Sequence, residues 1–261
     1  MLSRDVEVNL FLLGALERDG MHGADGSRWF GVPDGNGGFD AVVFAGPRPA
    51  GTGRAGTAVP YGEAQACHLL GRALANMGGT FMVVGPRQAS DSLWEGLGRT
   101  PDRVRYEQRL YVCDQPVTGP VLDLRPAALS EIAVLADMSI QMLAEDLAID
   151  PRQIAPGPQV ARVRERTRAG QIYVAQDGHR IVFKIDIGTW SSHGVQVGGT
   201  FVPSDLRRQG ISTRAMRALC RILLERAPRV TLHVNEANVA AVRCYEAAGF
   251  RRAAPFRLIA I

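Results

Sequence analysis

Residues 198–216 read GGTFVPSDLRRQGISTRAM: a strand-like run that stops at a proline, a basic turn holding one glycine, and the immediate start of a helix. A helix opens with several backbone N–H groups that have no intrahelical partner, and the macrodipole adds partial positive charge there. Gly210 lets the backbone approach a ligand closely, and Arg207 and Arg208 add full charges. Phosphate or pyrophosphate is the ligand such an arrangement favours. A basic surface turn capped by Ser212 or Thr213 is the other reading of the same residues.

Working outward, the preceding segments QIYVAQ (171–176), RIVFKIDIG (180–188) and GVQVGGTFV (194–202) predict a meander of strands, with Ile181, Phe183, Ile185 and Ile187 alternating onto one buried face. Upstream, VLDLRPA (121–127) reads as a strand running into a helix. Leu129, Ile132, Ala136, Ile140 and Leu143 then follow at helical steps, and the helix fails near Asp150-Pro151. A second helix is expected over 158–169, ending at Gly170. Downstream, Ala215, Met216, Leu219, Ile222 and Leu223 form one helical stripe. A strand RVTLHV (229–234), a short helix capped by Asn238 and stopped by Gly249, and a final strand or two complete the half.

The first half repeats this order more faintly: a helix over 6–18, strands at 28–32 and 39–46, a helix at 62–77, a strand at 80–85, a helix near 88–97 and a strand at 104–113. Pro and Gly cluster in CDQPVTGP (113–120), which reads as a linker. The pattern predicts a diverged duplication with domains 1–116 and 117–261.

At 261 residues, 46% apolar and 21% charged, the composition is that of a globular domain or two, expected to be cytoplasmic. The N-terminal run VNLFLLGAL fits neither a signal peptide nor a membrane span, so no membrane partner is expected. The net charge of +4 is spread along the chain without aromatic clustering and gives no support to nucleic-acid binding. Cys67, Cys113, Cys220 and Cys244 lack metal or CxxC spacing. His22, His68, His179, His193 and His233 share no ligand spacing either, so no metal is expected, and His233 simply alternates on a strand.

Two motifs in order then carry a resemblance. Arg207-Arg208-Gln209-Gly210-Ile211-Ser212 matches the R/Q-x-x-G-x-G/A pyrophosphate loop with serine at the last place. N238-V-A-A-V-R-C-Y245-E-A-A-G249-F250 matches an Asn-led helix bearing a tyrosine. The C-terminal half thus resembles the GNAT superfamily of acyl-coenzyme A-dependent N-acyltransferases. The whole chain resembles its two-domain members through Asn9–Glu17 and Val83–Arg87. The resemblance implies an α/β (α+β) fold of tandem GNAT-like domains, each a mixed, mostly antiparallel sheet flanked by helices. The first domain would be a degenerate copy that shapes the acceptor pocket.

It also implies that the amides of residues 207–213, Thr213 included, hold the pyrophosphate of acetyl-CoA. Pantetheine would run as an added strand along Phe201 and Val202, with Asn238 in contact. Tyr245 would protonate the departing sulfur, and the N–H of Val202 would stabilise the oxyanion. The fourth strand, GVQVGGTFV, has no carboxylate, so Glu145, acting through water, is the candidate base. RPAGTG (48–53) spells R-x-x-G-x-G but is read as a mobile loop, because no helix follows it at once. Lys184 is read as solvated or paired, and Cys244 as facing away from Tyr245's direction. The expected activity is acetyl transfer from acetyl-CoA to a small-molecule or protein amine, by a monomer or homodimer. A non-catalytic acyl-CoA sensor or scaffold, or a tandem transferase of another acyl group, are the alternatives.

Overall fold

The computed structural model describes residues 1–21, 26–46, 55–76, 80–98, 104–147 and 149–260. The first half runs α1 (Leu10–Asp19), β1 (Arg28–Pro33), β2 (Phe39–Ala45), β3 (Ala55–Gly62), α2 (Ala64–Ala75), β4 (Thr80–Pro86), α3 (Arg87–Leu97) and β5 (Val104–Cys113). The second runs β6 (Arg125–Pro126), α4 (Ile132–Leu147), α5 (Pro156–Arg168), β7 (Ile172–Asp177), β8 (Arg180–Ser191), β9 (Gly194–Phe201), α6 (Ile211–Leu224), β10 (Val230–Asn235), α7 (Val239–Ala247) and β11 (Arg251–Ala260). The expected elements are present within a few residues, with one addition. Strand β3, AGTAVPYG, is absent from the sequence pattern because glycine and proline break its alternation. RPAGTG and His22 lie outside the described residues. Among the described residues no helix is long and apolar enough to cross a membrane.

All eleven strands join one sheet in the order β1-β2-β3-β4-β11-β5-β10-β9-β8-β7-β6. The two halves do not simply abut, because each gives its last strand to the other. β11, the end of the chain, pairs with β4, and β5 pairs with β10. β5 and β11 then pair with each other along most of their length. A boundary at 116/117 falls in the connection after β5 and therefore cuts the chain between two exchanged strands.

Other contacts strengthen the interlock. Helix α1 of the first half packs on the β8–β9 hairpin, where a Cβ on Gly14 would stand 2.3 Å from Thr189 Cγ2. Glu17 accepts from the Ser192 backbone N–H (2.8 Å) and hydroxyl (2.6 Å). The Pro/Gly-rich connection is held against α6, with Arg221 donating to the carbonyls of Val117 and Gly119.

Two faces of the sheet are covered. Helices α6 and α7 pack over Val195, Val197, Val230, Leu232 and Val234, while Leu135, Met138 and Val163 of α4 and α5 cover Ile172, Val174 and Ile181 on the other side. The expected alternation on β8 holds for Phe183, Ile185 and Ile187 but fails at Ile181. The register slips so that Ala175 opposes Phe183 while Gln176 opposes Ile181. The extra residue, Val182, turns Ile181 to the α4 side, as a β-bulge must.

The exchange has a measurable consequence. Fragments 1–116 and 117–261, each expressed alone, expose strand edges that the other covers. Neither should melt cooperatively by circular dichroism, and mixing them should restore a single transition. Two independent cooperative melts would show that the exchanged strands are dispensable.

Candidate functional site

The phosphate-type loop forms as its sequence dictates. After β9, Pro203 starts a short turn over Ser204–Leu206, fixed by the bidentate pair of Arg180 with Asp205 (2.7 and 2.8 Å). Arg208 then takes a positive φ of 63°, the one non-glycine residue to do so among those described, and Gly210 follows at 71°. Gly210 is the N-cap of α6 and supplies no side-chain cap. A Cβ there would meet nothing within 4 Å, so the space above the helix end is open. Among the described residues, the backbone N–H groups of 208–213 have no acceptor. Six donors without partners thus lie at a helix N-terminus that is open at Gly210, which meets the physical requirement for holding an anion.

The side chains differ from expectation in two ways. Neither Ser212 nor Thr213 caps the helix. Thr213 Oγ1 donates instead to the Cys244 sulfur (3.5 Å), so its hydroxyl leaves the amides free. Burial pushes the Cys244 thiol up, which disfavours a thiolate nucleophile. Arg207 does not face the open space. Its Nε donates to the Val202 carbonyl (3.0 Å), its Nη2 to both oxygens of Glu145 (2.8 and 2.9 Å), and its guanidinium lies 5.5 Å from the Phe201 ring centre. Arg208 is exposed and makes no ion pair among the described residues.

The cleft beside the loop arises from a failed pairing. β10 runs parallel to β9 only at Val230↔Val195 and Thr231↔Gln196, and then the strands diverge. Beyond that point, Phe201 and Val202 border the opening on the β9 side. Tyr245 projects from α7 with its ring packed edge-on against Phe250 (6.0 Å) and Thr200 beside its hydroxyl. Desolvation, with smaller contributions from Cys244 and Asp146, pushes the phenol to about 12. Asn238 caps α7, its side chain accepting from the Ala241 N–H (3.1 Å).

Glu145 is not the carboxylate turned to the tyrosine. Both its oxygens are engaged by Arg207, and the group electrostatically coupled to Tyr245 is the next residue, Asp146. Desolvation, and then the Glu145 charge, raise the Asp146 carboxyl above the ordinary carboxylate range. The end of α4 that carries it is tied to the first half, where the Tyr106 hydroxyl of β5 donates to the Asp146 carbonyl.

On the same side of the sheet Lys184 is fully buried rather than solvated. It donates to Ser139 Oγ (3.0 Å) and pairs with Asp186 (3.1 Å), which also faces Arg166 at 3.6 Å. Burial lowers the lysine's pKa and Asp186 opposes the shift. A buried ammonium costs several kcal/mol of desolvation unless paired in this way. A cavity of about 620 Å³ lies between α4, the β7–β8 turn and Pro203–Asp205. It shares Phe201 with the cleft but touches none of Tyr245, Asp146 or His233.

Among its described residues the first half shows no equivalent site. Its parallel pair β3–β4 stays closed, with the Pro60 carbonyl 3.0 Å from where a Cβ on Gly85 would stand. Helix α2 follows β3 without an intervening loop, and its N-cap is Glu63, whose charge repels an anion there.

Residues 140–250 match the acetyltransferase (GNAT) family. An acetyltransferase of the GNAT family from Colwellia psychrerythraea is similar in structure, with a TM-score of 0.57 at 11% identity, over 100% of this chain and 97% of that one. A GCN5-related N-acetyltransferase from Sphaerobacter thermophilus is similar with a TM-score of 0.57 at 15% identity, over 97% and 90%. At these identities the likeness is one of fold, and it extends over both halves. No curated protein matches the chain in sequence.

The raised Asp146 carboxyl fixes the sign of a pH effect. Below the ordinary carboxylate range it is protonated both folded and unfolded. At neutral pH the unfolded chain's carboxyl is ionised, and the folded state, which disfavours that charge, bears a cost the unfolded state does not. Asp146→Asn should therefore raise the Tm at pH 7, and the gain should vanish as the pH falls through the ordinary carboxylate range. A gain that persists at acid pH would exclude charge burial as its cause.

Proposed function

We propose that this chain, whose residues 140–250 match the acetyltransferase (GNAT) family, is an N-acetyltransferase that moves an acetyl group from acetyl-CoA directly to an amine. Acyl transfer is the chemistry the family match carries. The observation that supports the finer reading is the convergence of six unpartnered amides at the start of α6 with a buried phenol across the β9–β10 split.

In this reading the amides of 208–213 bind the pyrophosphate, and the released edge of β9 through Phe201 and Val202 hydrogen-bonds the pantetheine arm as a missing strand would. Acetyl-CoA supplies the activated thioester. Asn238, at the N-terminus of α7, stands where that arm would pass, its cap bond leaving its amide N–H₂ to donate. The Val202 N–H, which has no acceptor among the described residues, supports the developing oxyanion. Tyr245 stays protonated at any ordinary pH and donates to the departing sulfur. Arg207 and Glu145 serve the loop, pinning it to the end of α4, and at this exposed surface the pair is worth ~1 kcal/mol at most. Glu145 is thereby released from the role of base. The closed first half binds no coenzyme and instead supplies β5, with Tyr106, to the acceptor side.

The lack of any carboxylate on β9 favours one second reading, a non-catalytic acyl-CoA sensor. Titration with acetyl-CoA in a calorimeter should give one site per chain. Tyr245→Phe should leave that affinity unchanged while reducing turnover by about 10²-fold, the ordinary worth of a positioned acid. Two sites would overturn the closed first half. Binding with no turnover by the unaltered protein across an amine panel would favour the sensor.

A further inference from the structure

Where β10 leaves β9, the α4–α5 face of the sheet carries a row of three residues across the split. Asp186 on β8 is paired directly with Gly198 on β9. His233 holds the corresponding place on β10, two residues beyond Thr231, which pairs with Gln196. Asp186 faces Arg166 of α5, so Gly198 opposite it looks the same way. His233 alternates with Leu232 and Val234, which enter the α6–α7 core, and so faces α4 and α5 as well. At the middle of the row a Cβ on Gly198 would meet nothing within 4 Å among the described residues.

The hollow has polar walls. His233 Nε2 is enclosed with no hydrogen-bond partner, and so is Asp186 Oδ1, although Lys184 faces that oxygen as an ion pair. Part of the His233 residue nonetheless stays accessible, and its ring stacks at 4.2 Å on Phe256. Between Gly198 and Phe201 strand β9 carries one extra residue, with Gly199 at a φ of 64°, so Thr200, the neighbour of the Tyr245 hydroxyl, turns to the α6–α7 side and the hollow and the phenol stand on opposite faces of the split.

We infer that the acceptor amine enters the hollow over Gly198 and that His233 takes its proton, an inference that rests on the N-acyltransferase reading. The amine nitrogen forms a bond to the thioester carbonyl carbon, and its N–H proton passes to the imidazole. The C–S bond breaks, and the sulfur gains a proton from the Tyr245 hydroxyl. Exchange with solvent returns imidazole and phenol to their neutral forms. Burial holds His233 down at about 4, so the ring is neutral and offers a lone pair at ordinary pH. The opposite wall cannot compete for the proton, because Asp186 is held by Lys184 and Arg166.

The test uses the full chain with acetyl-CoA and hydroxylamine as the amine probe, reading acetohydroxamate formation, with acetyl-CoA affinity measured in parallel by calorimetry. The unaltered protein should form hydroxamate above the uncatalysed rate. His233→Gln should lose about 10²-fold in that rate with acetyl-CoA affinity unchanged, which separates proton transfer from support of the coenzyme site. Gly198→Val fills the hollow at an ordinary strand position and should lose at least as much, again without loss of acetyl-CoA. If His233→Gln does not fold, Gly198→Val decides alone. Variants that bind acetyl-CoA and transfer at the unaltered rate overturn the inference, as does an unaltered protein that binds acetyl-CoA yet forms no hydroxamate. Failure to bind acetyl-CoA at all overturns the parent reading as well, so the two failures are distinguishable.

Discussion

Strand β10 has two edges, and one of them is almost unused. Toward β9 it makes only the pairings at Val230 and Thr231, so nearly all of its ladder comes from β5 on the other side. A strand released along one edge must be fixed along the other, because unpaired backbone groups inside a protein are costly. β5 meets that need along all of β10, from Val230↔Cys113 to Asn235↔Gln108, and it belongs to the first half of the chain. The cleft of the second half therefore depends on a strand of the first. The return gift of β11 to β4 makes the dependence mutual.

This mutual exchange gives the first half a structural role whether or not it holds a site of its own. Its sheet is needed as the frame that holds β10 away from β9, and a frame does better closed than open. Pro60 lies against Gly85, and Ser90 Oγ is 3.1 Å from where a Cβ on that glycine would stand, so the space a pantetheine arm would occupy is filled. With no loop between β3 and α2, the helix end that could hold a phosphate instead begins beside a carboxylate, Glu63. The asymmetry between halves is thus built from packing and charge together.

What the sequence disclosed follows from how local each signal is. The loop, α6, the capped α7 and most strands were legible because their determinants lie within a few residues: Gly210 for a positive φ, Asn238 for a cap, alternation for β8. Strand β3 was hidden because Gly56, Pro60 and Gly62 disguise it, and it forms through its pairing with β2 rather than through propensity. Of the two readings of Lys184, solvated or paired, the structure has the paired one, and its burial was hidden because Ser139 and Asp186 decide it, which alternation cannot reveal. The same blindness applies to Glu145, whose engagement with Arg207 spans 62 positions of sequence. His233 looked like one more alternating residue, since nothing local marks the strand beyond Thr231 as released from β9.

The cleft groups share one physical condition. Tyr245, Asp146 and His233 are each displaced from their ordinary pKa in the direction that favours the neutral form, and in all three desolvation is the first cause. The loop presents the opposite condition, open and lined by exposed backbone donors, as a charged phosphate requires. In the proposed reading such a site would hold its ligand by charge at the rim, while the charges inside, Lys184, Asp186 and Arg166, are paired with one another. Charge that develops on nitrogen, oxygen and sulfur then meets oriented dipoles instead of competing ions, and those dipoles are worth more in a dry cleft than in water. The Arg207–Glu145 pair stands at the border, neutralising the cation of the loop nearest the cleft. If the cleft transfers protons as proposed, it does so through Tyr245 and His233, two groups that burial holds in the neutral form.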